Sequence, residues 1–254
     1  MNRGLWLIIS ILTFSTAALW FRQLYRQRLP EIPETIIIGT SADFPPFCFK
    51  ENGEFVGFDI DIAKEVCARL NKQYKIQNMP FELLIPQLQN GSIHLAAAGI
   101  TATPERMQRA FFTTPYLAKD PLVALSLATE QKIKNIDELK EATLVVNQGY
   151  NADVFMTKLG IKNIIRLPSL NDALNALQAH KANVFVTSLN TLKPIFDLLG
   201  ESTFTIFIIN DANESTSLAI SPLYQKFGSR VDAIINQMIN DGTIEKFKQK
   251  WHVQ

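Results

Sequence analysis

The amino-acid sequence predicts an α/β protein whose sheets are mostly parallel. From residue 35 onward, short apolar runs rich in β-branched residues alternate with segments of helical periodicity, which is typical of strand–helix–strand units. The 254 residues, 47% of them apolar, suffice for one large domain or two smaller ones with their own cores. A formal net charge of +1 gives no indication of a nucleic-acid partner.

Residues 1–28 are predicted to be a signal peptide or a membrane anchor. A short basic start at Arg3 is followed by an uncharged, mostly apolar run over residues 4–21. The small residues Ser15-Thr16-Ala17 offer a cleavage site, whereas Leu19-Trp20-Phe21 extends the run toward membrane-spanning length. The basic residues after the run, Arg22, Arg26 and Arg28, would normally mark the cytoplasmic side of a membrane. Export is nevertheless expected from the domain that follows, which would lie in the periplasm, be secreted, or be tethered to the cytoplasmic membrane by residues 4–21.

The elements that follow a proline-containing linker at residues 29–34 are predicted from local patterns. Runs of apolar and β-branched residues predict strands at residues 35–40, 95–100, 122–128, 144–147, 163–167, 184–187, 204–209 and 217–220. Helical periodicity predicts one helix capped by Asp59 and others at residues 81–89, 151–159, 170–180, 191–199, 227–240 and 243–251. Ligands of such proteins bind beyond the carboxyl ends of strands, so the loops after strands are the candidate sites.

The loop after the second predicted strand carries the most informative side chains. Gly99 lets a ligand approach the backbone, Thr101 offers a hydroxyl group, and Arg106 can bind a carboxylate through its fork of N–H groups. Pro104 suits the first turn of a helix, whose free N–H groups would lie nearby. The alternative for Arg106 is a surface salt bridge with Glu105 or another nearby acid. Two further loops follow strands, at residues 41–47 and 148–151.

Five segments of the chain carry motifs in a fixed order. They are residues 54–63 (EFVGFDIDIA), 81–88 (FELLIPQL), 98–106 (AGITATPER), 112–116 (FTTPY) and 241–251 (DGTIEKFKQKW). Together they resemble the ordered motifs of the family 3 solute-binding proteins, the polar-amino-acid receptors of ABC importers. The resemblance covers about residues 35–254.

The resemblance implies a type II periplasmic-binding-protein fold, in which two α/β lobes are joined by a two-strand hinge. Lobe I would comprise residues 35–118 with 212–254, and lobe II would comprise residues 119–211. The crossings between the lobes are expected near residues 117–120 and 210–215. The lobes of such a receptor close on a solute, and a permease reads the closed form.

The same resemblance implies a receptor for an amino acid of the arginine, glutamine or histidine type. Its expected partners are that small-molecule ligand and an ABC permease in the membrane, and it is expected to be a monomer. No cofactor, metal ion or nucleic acid is expected. The alternatives are an enzyme similar to cyclohexadienyl dehydratases and a membrane-tethered amino-acid sensor. No catalytic residue is assigned, because His94, His180 and His252 lie away from the predicted strand ends.

Matching positions of the family pattern imply a role for each site residue of the first lobe. Thr101 and Arg106 would bind the α-carboxylate of the ligand, and the backbone at Ala98 and Gly99 would lie near its α-amino group.

The side chain of the ligand is expected between aromatic walls. Phe44 and Phe81 stand where the family places these walls, and the alternative for both is ordinary core packing. Gln148 and Asn151 belong to the turn that matches the ligand loop of the second lobe, where a Thr or Ser usually follows the glycine. Asn151 would contact the ligand or cap the helix that begins there.

Two serines stand where relatives usually carry acids. Ser41 takes the position after the first strand that usually holds a polar or cationic ligand side chain. Ser188 takes the second-lobe position whose aspartate usually pairs with the ligand α-ammonium. Asp43 or Glu82 is a candidate for the missing charge.

The two cysteines leave two alternatives open. Cys48 and Cys67 do not have the spacing of a metal site. They either form a disulfide bond or remain two separate buried thiols.

Overall fold

The computed structural model describes residues 32–254, which form two lobes around two five-stranded sheets. The strands of the first sheet lie in the order β5 (Gln73–Asn78), β1 (Thr35–Thr40), β6 (Leu95–Ala96), β13 (Ala219–Ile220) and β7 (Phe111–Phe112). Strand β1 is parallel to β5 and β6, and β13 is antiparallel to β6 and β7. A separate antiparallel sheet contains β2 (Asp43–Phe44), β3 (Cys48–Glu51) and β4 (Glu54–Val56).

The second sheet has the same division into a parallel and an antiparallel half. Its strands lie in the order β10 (Ile164–Leu167), β9 (Leu144–Asn147), β11 (Val184–Ser188), β8 (Leu117–Leu127) and β12 (Phe204–Thr216). Strand β9 is parallel to β10 and β11, whereas β8 is antiparallel to β11 and β12. The predicted strand–helix–strand units build the parallel half. The antiparallel half arises because β8 and β12 carry the chain into and out of this lobe.

Helices cover the faces of both sheets. In the described chain they are α1 (Phe58–Arg69), α2 (Leu84–Asn90), α3 (Pro104–Met107), α4 (Ile136–Glu141), α5 (Asn151–Lys158), α6 (Leu170–Gln178), α7 (Leu192–Leu199), α8 (Gln225–Asn240) and α9 (Thr243–Trp251). Helix α6 shows how local sequence sets such an element. The Ser169 hydroxyl caps its N-terminus by accepting a hydrogen bond from the backbone N–H of Asp172 (3.1 Å). Its buried residues recur at helical spacing: Leu170, Ala173, Leu174 and Leu177.

The hydrophobic core follows the two-residue period of the strands. In β8, Val123 and Leu125 pack in one cluster of the second lobe, while Leu122 packs in the cluster on the opposite face. The first lobe has a continuous core in which Phe58 and Phe227 are fully buried. Each lobe therefore has a core of its own.

Strands β8 and β12 connect the two lobes. Strand β7 precedes β8 and β13 follows β12, and both β7 and β13 belong to the first sheet. The two connecting strands pair along their length, with a register irregularity between Ile208 and Asn213. The crossings expected near residues 117–120 and 210–215 fall within these strands, while the boundaries at 118/119 and 211/212 remain predictions.

Two local expectations differ from the structure. Asp59 was expected to cap a helix, but α1 begins at Phe58 after Gly57, and no side chain of the described residues caps it. Asp59 is instead fully buried, and its Oδ2 atom accepts a hydrogen bond from the backbone N–H of Gly99. The strand expected at residues 95–100 ends at Ala96, since Gly99 adopts a φ of +62°, which a strand does not accommodate.

The two cysteines are separate thiols. Cys48 and Cys67 are both buried and free. The Cys48 thiol donates a hydrogen bond to the backbone oxygen of Ser41 (3.0 Å). Burial raises the pKa of Cys67 to about 11, which keeps its thiol protonated at neutral pH. Of the two alternatives, the structure supports the buried thiols.

The predicted signal peptide or anchor at residues 1–28 lies outside the described residues, as does the first part of the linker at residues 29–34. Within residues 32–254, no helix is long and apolar enough to cross a membrane.

Substituting Gly57 by alanine is expected to destabilise the first lobe. Gly57 has a φ of +127°, and a Cβ atom there would lie 2.3 Å from the backbone oxygen of Phe47. Because both the conformation and the space exclude a side chain, Gly57→Ala should lower the free energy of unfolding by about 2 kcal/mol. Urea denaturation measures this change. Gly53→Ala is the matched control, since Gly53 has a φ of +85° with no atom within 4 Å, and it should cost about 1 kcal/mol. Equal losses in the two variants would contradict the packing argument.

Candidate functional site

The loop after β6 forms one wall of a cleft between the lobes. The backbone N–H of Gly99 donates a hydrogen bond to Asp59 Oδ2 (2.6 Å). Burial raises the pKa of Asp59 to about 7, against the lowering effect of this hydrogen bond. A Cβ atom at Gly99 would lie 3.1 Å from the Phe44 ring, so the loop packs closely on that ring. Ala98, next to Gly99, is fully buried.

Arg106 extends from α3 toward the second lobe. Its Nη1 group donates to the backbone oxygen of Thr101 (2.9 Å), and its Nη2 group donates to the backbone oxygen of Gly149 (2.7 Å). The second bond joins the two lobes directly. The expected alternative, a salt bridge between Arg106 and Glu105, is not formed within residues 32–254. Glu105 instead pairs with Arg109, with 4.0 Å between Glu105 Oε1 and Arg109 Nη1.

Polar groups at this loop remain available to a ligand. An arginine has five N–H donors, and the two bonds above use only part of that fork. Thr101 Oγ1 is buried and has no hydrogen-bond partner among the described residues. Burial lowers the pKa of Arg106, but a guanidinium stays protonated in proteins. A fixed cation beside an unpaired hydroxyl group suits a carboxylate.

Three aromatic rings fill the middle of the cleft. Tyr150, which precedes α5, stacks on Phe81 with ring centres 3.9 Å apart and planes inclined by 23°. It also contacts Phe44, with ring centres 4.9 Å apart. The Arg106 guanidinium lies 5.2 Å from the centre of the Phe81 ring. The cavity left beside Tyr150 has a volume of about 10 Å³, which is room for about one water molecule. Tyr150 therefore bridges the two predicted aromatic walls.

Two carboxylates face each other on the connecting strands. Asp120 and Glu214 are directly opposite residues in the β8–β12 register, and both are buried. Burial, and then the charge of Asp120, raise the pKa of Glu214 to about 8, and burial also raises the pKa of Asp120. Asn151 is the first residue of α5 rather than its cap, because Tyr150 takes the cap position. Its side chain approaches Glu214 and partly offsets that rise in pKa.

A group of buried polar atoms surrounds this pair. Ser188, at the end of β11, lies beside Asp120. Ser188 Oγ, Asp120 Oδ2 and Asn147 Nδ2 nevertheless have no hydrogen-bond partner of acceptable geometry in the described part of the chain. Ser188, Asn147 and Glu214 border the same cavity as Tyr150. The protein itself thus leaves several polar atoms unsatisfied at the end of the cleft nearest the connecting strands.

Of the remaining predicted residues, Ser41 is buried beside Tyr150, whereas Glu82 and Gln148 are exposed. The Ser41 hydroxyl donates to Asp43 Oδ1 (3.0 Å), so a carboxylate adjoins the predicted serine, and burial raises the pKa of Asp43. Glu82, the other candidate for the missing charge, is exposed. Gln148 is also exposed, and its backbone N–H bonds to the Leu167 oxygen (2.9 Å), so the structure does not bring its side chain into the cleft.

Two sheet-containing lobes, two connecting strands and an intervening cleft define a type II periplasmic-binding-protein fold, as predicted. The chain belongs to the bacterial extracellular solute-binding proteins, family 3, whose family model matches residues 36–254. The resemblance seen in the five ordered motifs is thereby confirmed.

Individual relatives cover most of the chain. The arginine-binding extracellular protein ArtP of Bacillus subtilis (strain 168) is 28% identical over 228 residues, which are 85% of this chain and 85% of ArtP. A structure of an ancestral arginine-binding protein bound to glutamine has a TM-score of 0.80 and 27% identity, and it covers 88% of this chain and 100% of its own. An ancestral amino acid-binding protein, a precursor of cyclohexadienyl dehydratase, has a TM-score of 0.77 and 26% identity over 86% of this chain and 95% of its own.

Sequence reasoning missed four residues that the structure places in the cleft: Tyr150, Asn147, Asp120 and Glu214. A signal existed for Tyr150, since the family pattern predicts a Thr or Ser after the glycine of that turn. A signal also existed for the two acids, because each lies in a predicted crossing between the lobes. Asn147 ends a predicted strand and offered no signal beyond that position.

Proposed function

We propose that this protein is a receptor that captures a polar amino acid of the arginine, glutamine or histidine type between its lobes. The observation that carries the proposal is the Arg106 guanidinium beside the unpaired Thr101 hydroxyl. A free amino acid presents a carboxylate, which a planar guanidinium binds through two parallel hydrogen bonds. Phe44 and Phe81 supply aromatic faces for a planar ligand side chain.

The relatives support this ligand class. ArtP is an arginine-binding protein, and the ancestral arginine-binding protein was solved with glutamine. Guanidinium, amide and imidazole groups are all planar, so one pair of aromatic walls can stack on any of them. Asp43 beside Ser41 adds a carboxylate at the end of β1, where a cationic side chain would gain from it.

The protein is further proposed to act outside the cytoplasm as a monomer that delivers its ligand to an ABC permease. Family membership supports the location, since its relatives are extracellular solute-binding proteins. The apolar run over residues 4–21 would export or tether the protein. Affinity purification from membranes tests the partner. Recovery of a permease supports the proposal, whereas recovery of a signalling kinase alone favours the sensor alternative.

Calorimetric titration of the full-length chain, purified in detergent, tests the ligand. We expect saturable one-to-one binding of at least one of L-arginine, L-glutamine and L-histidine. The decarboxylated analogue of the bound amino acid is the matched control, and it should not bind, because it has no carboxylate for Arg106. Absence of binding by all proteinogenic amino acids, with the chain shown to be folded by circular dichroism, would contradict the proposal.

An elimination enzyme is the second candidate. Glu214 is the observation in its favour, since a buried carboxylic acid in the cleft could serve as a general acid. A precursor of cyclohexadienyl dehydratase is also among the relatives, although that precursor is itself an amino acid-binding protein. Incubation with prephenate and arogenate tests this function. Turnover that Glu214→Gln removes would support the enzyme, and absence of turnover leaves the receptor.

A further inference from the structure

The connecting strands carry a buried pair of acids that the carboxylate site and the aromatic walls do not use. Asp120 and Glu214 are 2% and 8% exposed, and they are direct partners in the β8–β12 register. Side chains of directly opposite residues point to the same face of a sheet, with Cβ atoms about 4.5–5.5 Å apart. Two buried carboxylates this close cannot both be charged unless a cation lies with them.

The protein does not supply that cation. Neither Asp120 nor Glu214 forms a salt bridge within residues 32–254. Arg106 is near enough to influence Glu214, but its Nη groups bond to the backbone oxygens of Thr101 and Gly149. Asp120 Oδ1 accepts a hydrogen bond only from the backbone of Asn190 among the described residues (3.2 Å).

The polar atoms around the pair complete a site for a group with several N–H donors. Asp120 Oδ2 and Ser188 Oγ are both unpaired in the described part of the chain, and the two residues lie side by side. Ser188 and Glu214 border the same cavity. A primary ammonium has three donors, so one such group can bond to Glu214, Asp120 and Ser188 together.

We propose that Glu214 and Asp120 bind the α-ammonium group of the ligand, in place of the aspartate that relatives usually carry at the position of Ser188. This inference rests on the proposed function, because it needs an amino acid whose carboxylate is held by Arg106. The arrangement can match the charges of one zwitterion, because Arg106 is near enough to Glu214 to act on it electrostatically, and the α-carboxylate and α-ammonium of an amino acid are attached to the same carbon atom. The ammonium would also supply the counter-charge that the buried pair lacks.

Proton release on binding follows from this arrangement. The titratable groups that face Glu214 are Asp120, Arg106 and Tyr150, and the uncharged Asn151 side chain also approaches it. Burial, followed by the charge of Asp120, sets the pKa of Glu214 at about 8, so Glu214 holds a proton at neutral pH. An ammonium beside the carboxylate lowers this pKa, and the proton leaves as the ligand binds. Affinity should therefore increase as the pH rises from about 6 to about 8, and the increase should be absent in Glu214→Gln.

Titration of two variants with two ligands tests the inference. The full-length chain and its variants Glu214→Gln and Asp120→Asn are titrated with the amino acid that binds best and with its analogue lacking the α-amino group. That analogue is 5-guanidinopentanoic acid for arginine, glutaramic acid for glutamine or imidazolepropionic acid for histidine. We expect each variant to weaken binding of the amino acid by about 10–50-fold and to leave binding of the analogue within about 3-fold of the unsubstituted protein.

Controls separate this effect from misfolding and from general electrostatics. Each variant replaces one of two adjacent buried carboxyl groups by an amide of the same shape, so the temperature of thermal unfolding should not fall below that of the unsubstituted protein. Glu201→Gln removes an exposed acid that precedes β12 at the end remote from Glu214, and it should leave both affinities unchanged. Calorimetry at pH 7 in buffers of different ionisation enthalpy should show release of about one proton in the unsubstituted protein and none in Glu214→Gln.

The possible results have different meanings. If both variants weaken the amino acid and its analogue equally, or weaken neither, the inference is overturned while the proposed function stands. If arginine binds best and the variants instead lose discrimination against citrulline, which lacks only the side-chain charge, the pair binds the guanidinium and the inference is also overturned. If the unsubstituted protein binds no amino acid, the proposed function fails, and the inference fails with it.

Discussion

Arg106→Ala is expected to weaken binding of every amino acid ligand by about 1,000-fold, since two charge-assisted hydrogen bonds contribute about 1.5–3 kcal/mol each. The variant removes the fixed cation beside the Thr101 hydroxyl, and with it the group that recognises the carboxylate. It also removes the bond from Nη2 to the backbone oxygen of Gly149 (2.7 Å), which joins the lobes. Both losses weaken the closed arrangement in which the ligand would be held.

Calorimetric titration of Arg106→Ala and Arg106→Lys measures this loss. Lysine keeps the positive charge but not the planar fork, so Arg106→Lys should weaken binding by an intermediate factor of about 10–100. Thermal unfolding serves as the folding control, because Arg106 is not part of the hydrophobic core of either lobe. An affinity within about 10-fold of the unsubstituted protein in Arg106→Ala would show that the ligand carboxylate lies elsewhere.

Features that depend on neighbouring residues could be predicted from the sequence. Pro104 begins α3 as expected, since proline needs no donor at the first position of a helix. A glycine was expected where a loop packs closely, and Gly99 meets this expectation because its positive φ and the nearby Phe44 ring both disfavour a side chain. The fold could also be predicted from the ordered motifs, because each motif is a contiguous segment of the chain that can be recognised in the sequence.

Features that depend on how distant segments meet could not be predicted in this way. Asp59 has the sequence context of a helix cap, but its tertiary contact with the Gly99 backbone buries it. The pairing of Asp120 with Glu214 depends on the register of β8 against β12, which contains an irregularity that the sequence does not reveal. The parallel half of each sheet was expected from strand–helix–strand units, whereas the antiparallel half results from the path of the chain between the lobes.

Tyr150→Thr is expected to strengthen binding of the ligand by about 100-fold, because the Tyr150 ring lies where a ligand side chain would stack. Tyr150 is 6% exposed and contacts both Phe81 and Phe44, with ring centres 3.9 and 4.9 Å away. Displacing the ring exposes a buried aromatic side chain, which costs about 1.5–3 kcal/mol, and separates ring pairs that contribute about 0.5–1.5 kcal/mol each. The measured affinity is the intrinsic affinity multiplied by the small fraction of molecules in which the ring has moved aside.

Tyr150→Phe is the matched control for this effect. It keeps the ring between the same two partners, so its affinity should equal that of the unsubstituted protein if the ring itself competes with the ligand. The family pattern predicts a Thr or Ser at this position, so Tyr150→Thr removes the ring and introduces a residue that the pattern allows. Calorimetric titration of both variants with the same amino acid gives the comparison. Weaker binding by Tyr150→Thr would instead make Tyr150 a contact of the ligand, since loss of a competitor can only raise the fraction of molecules able to bind.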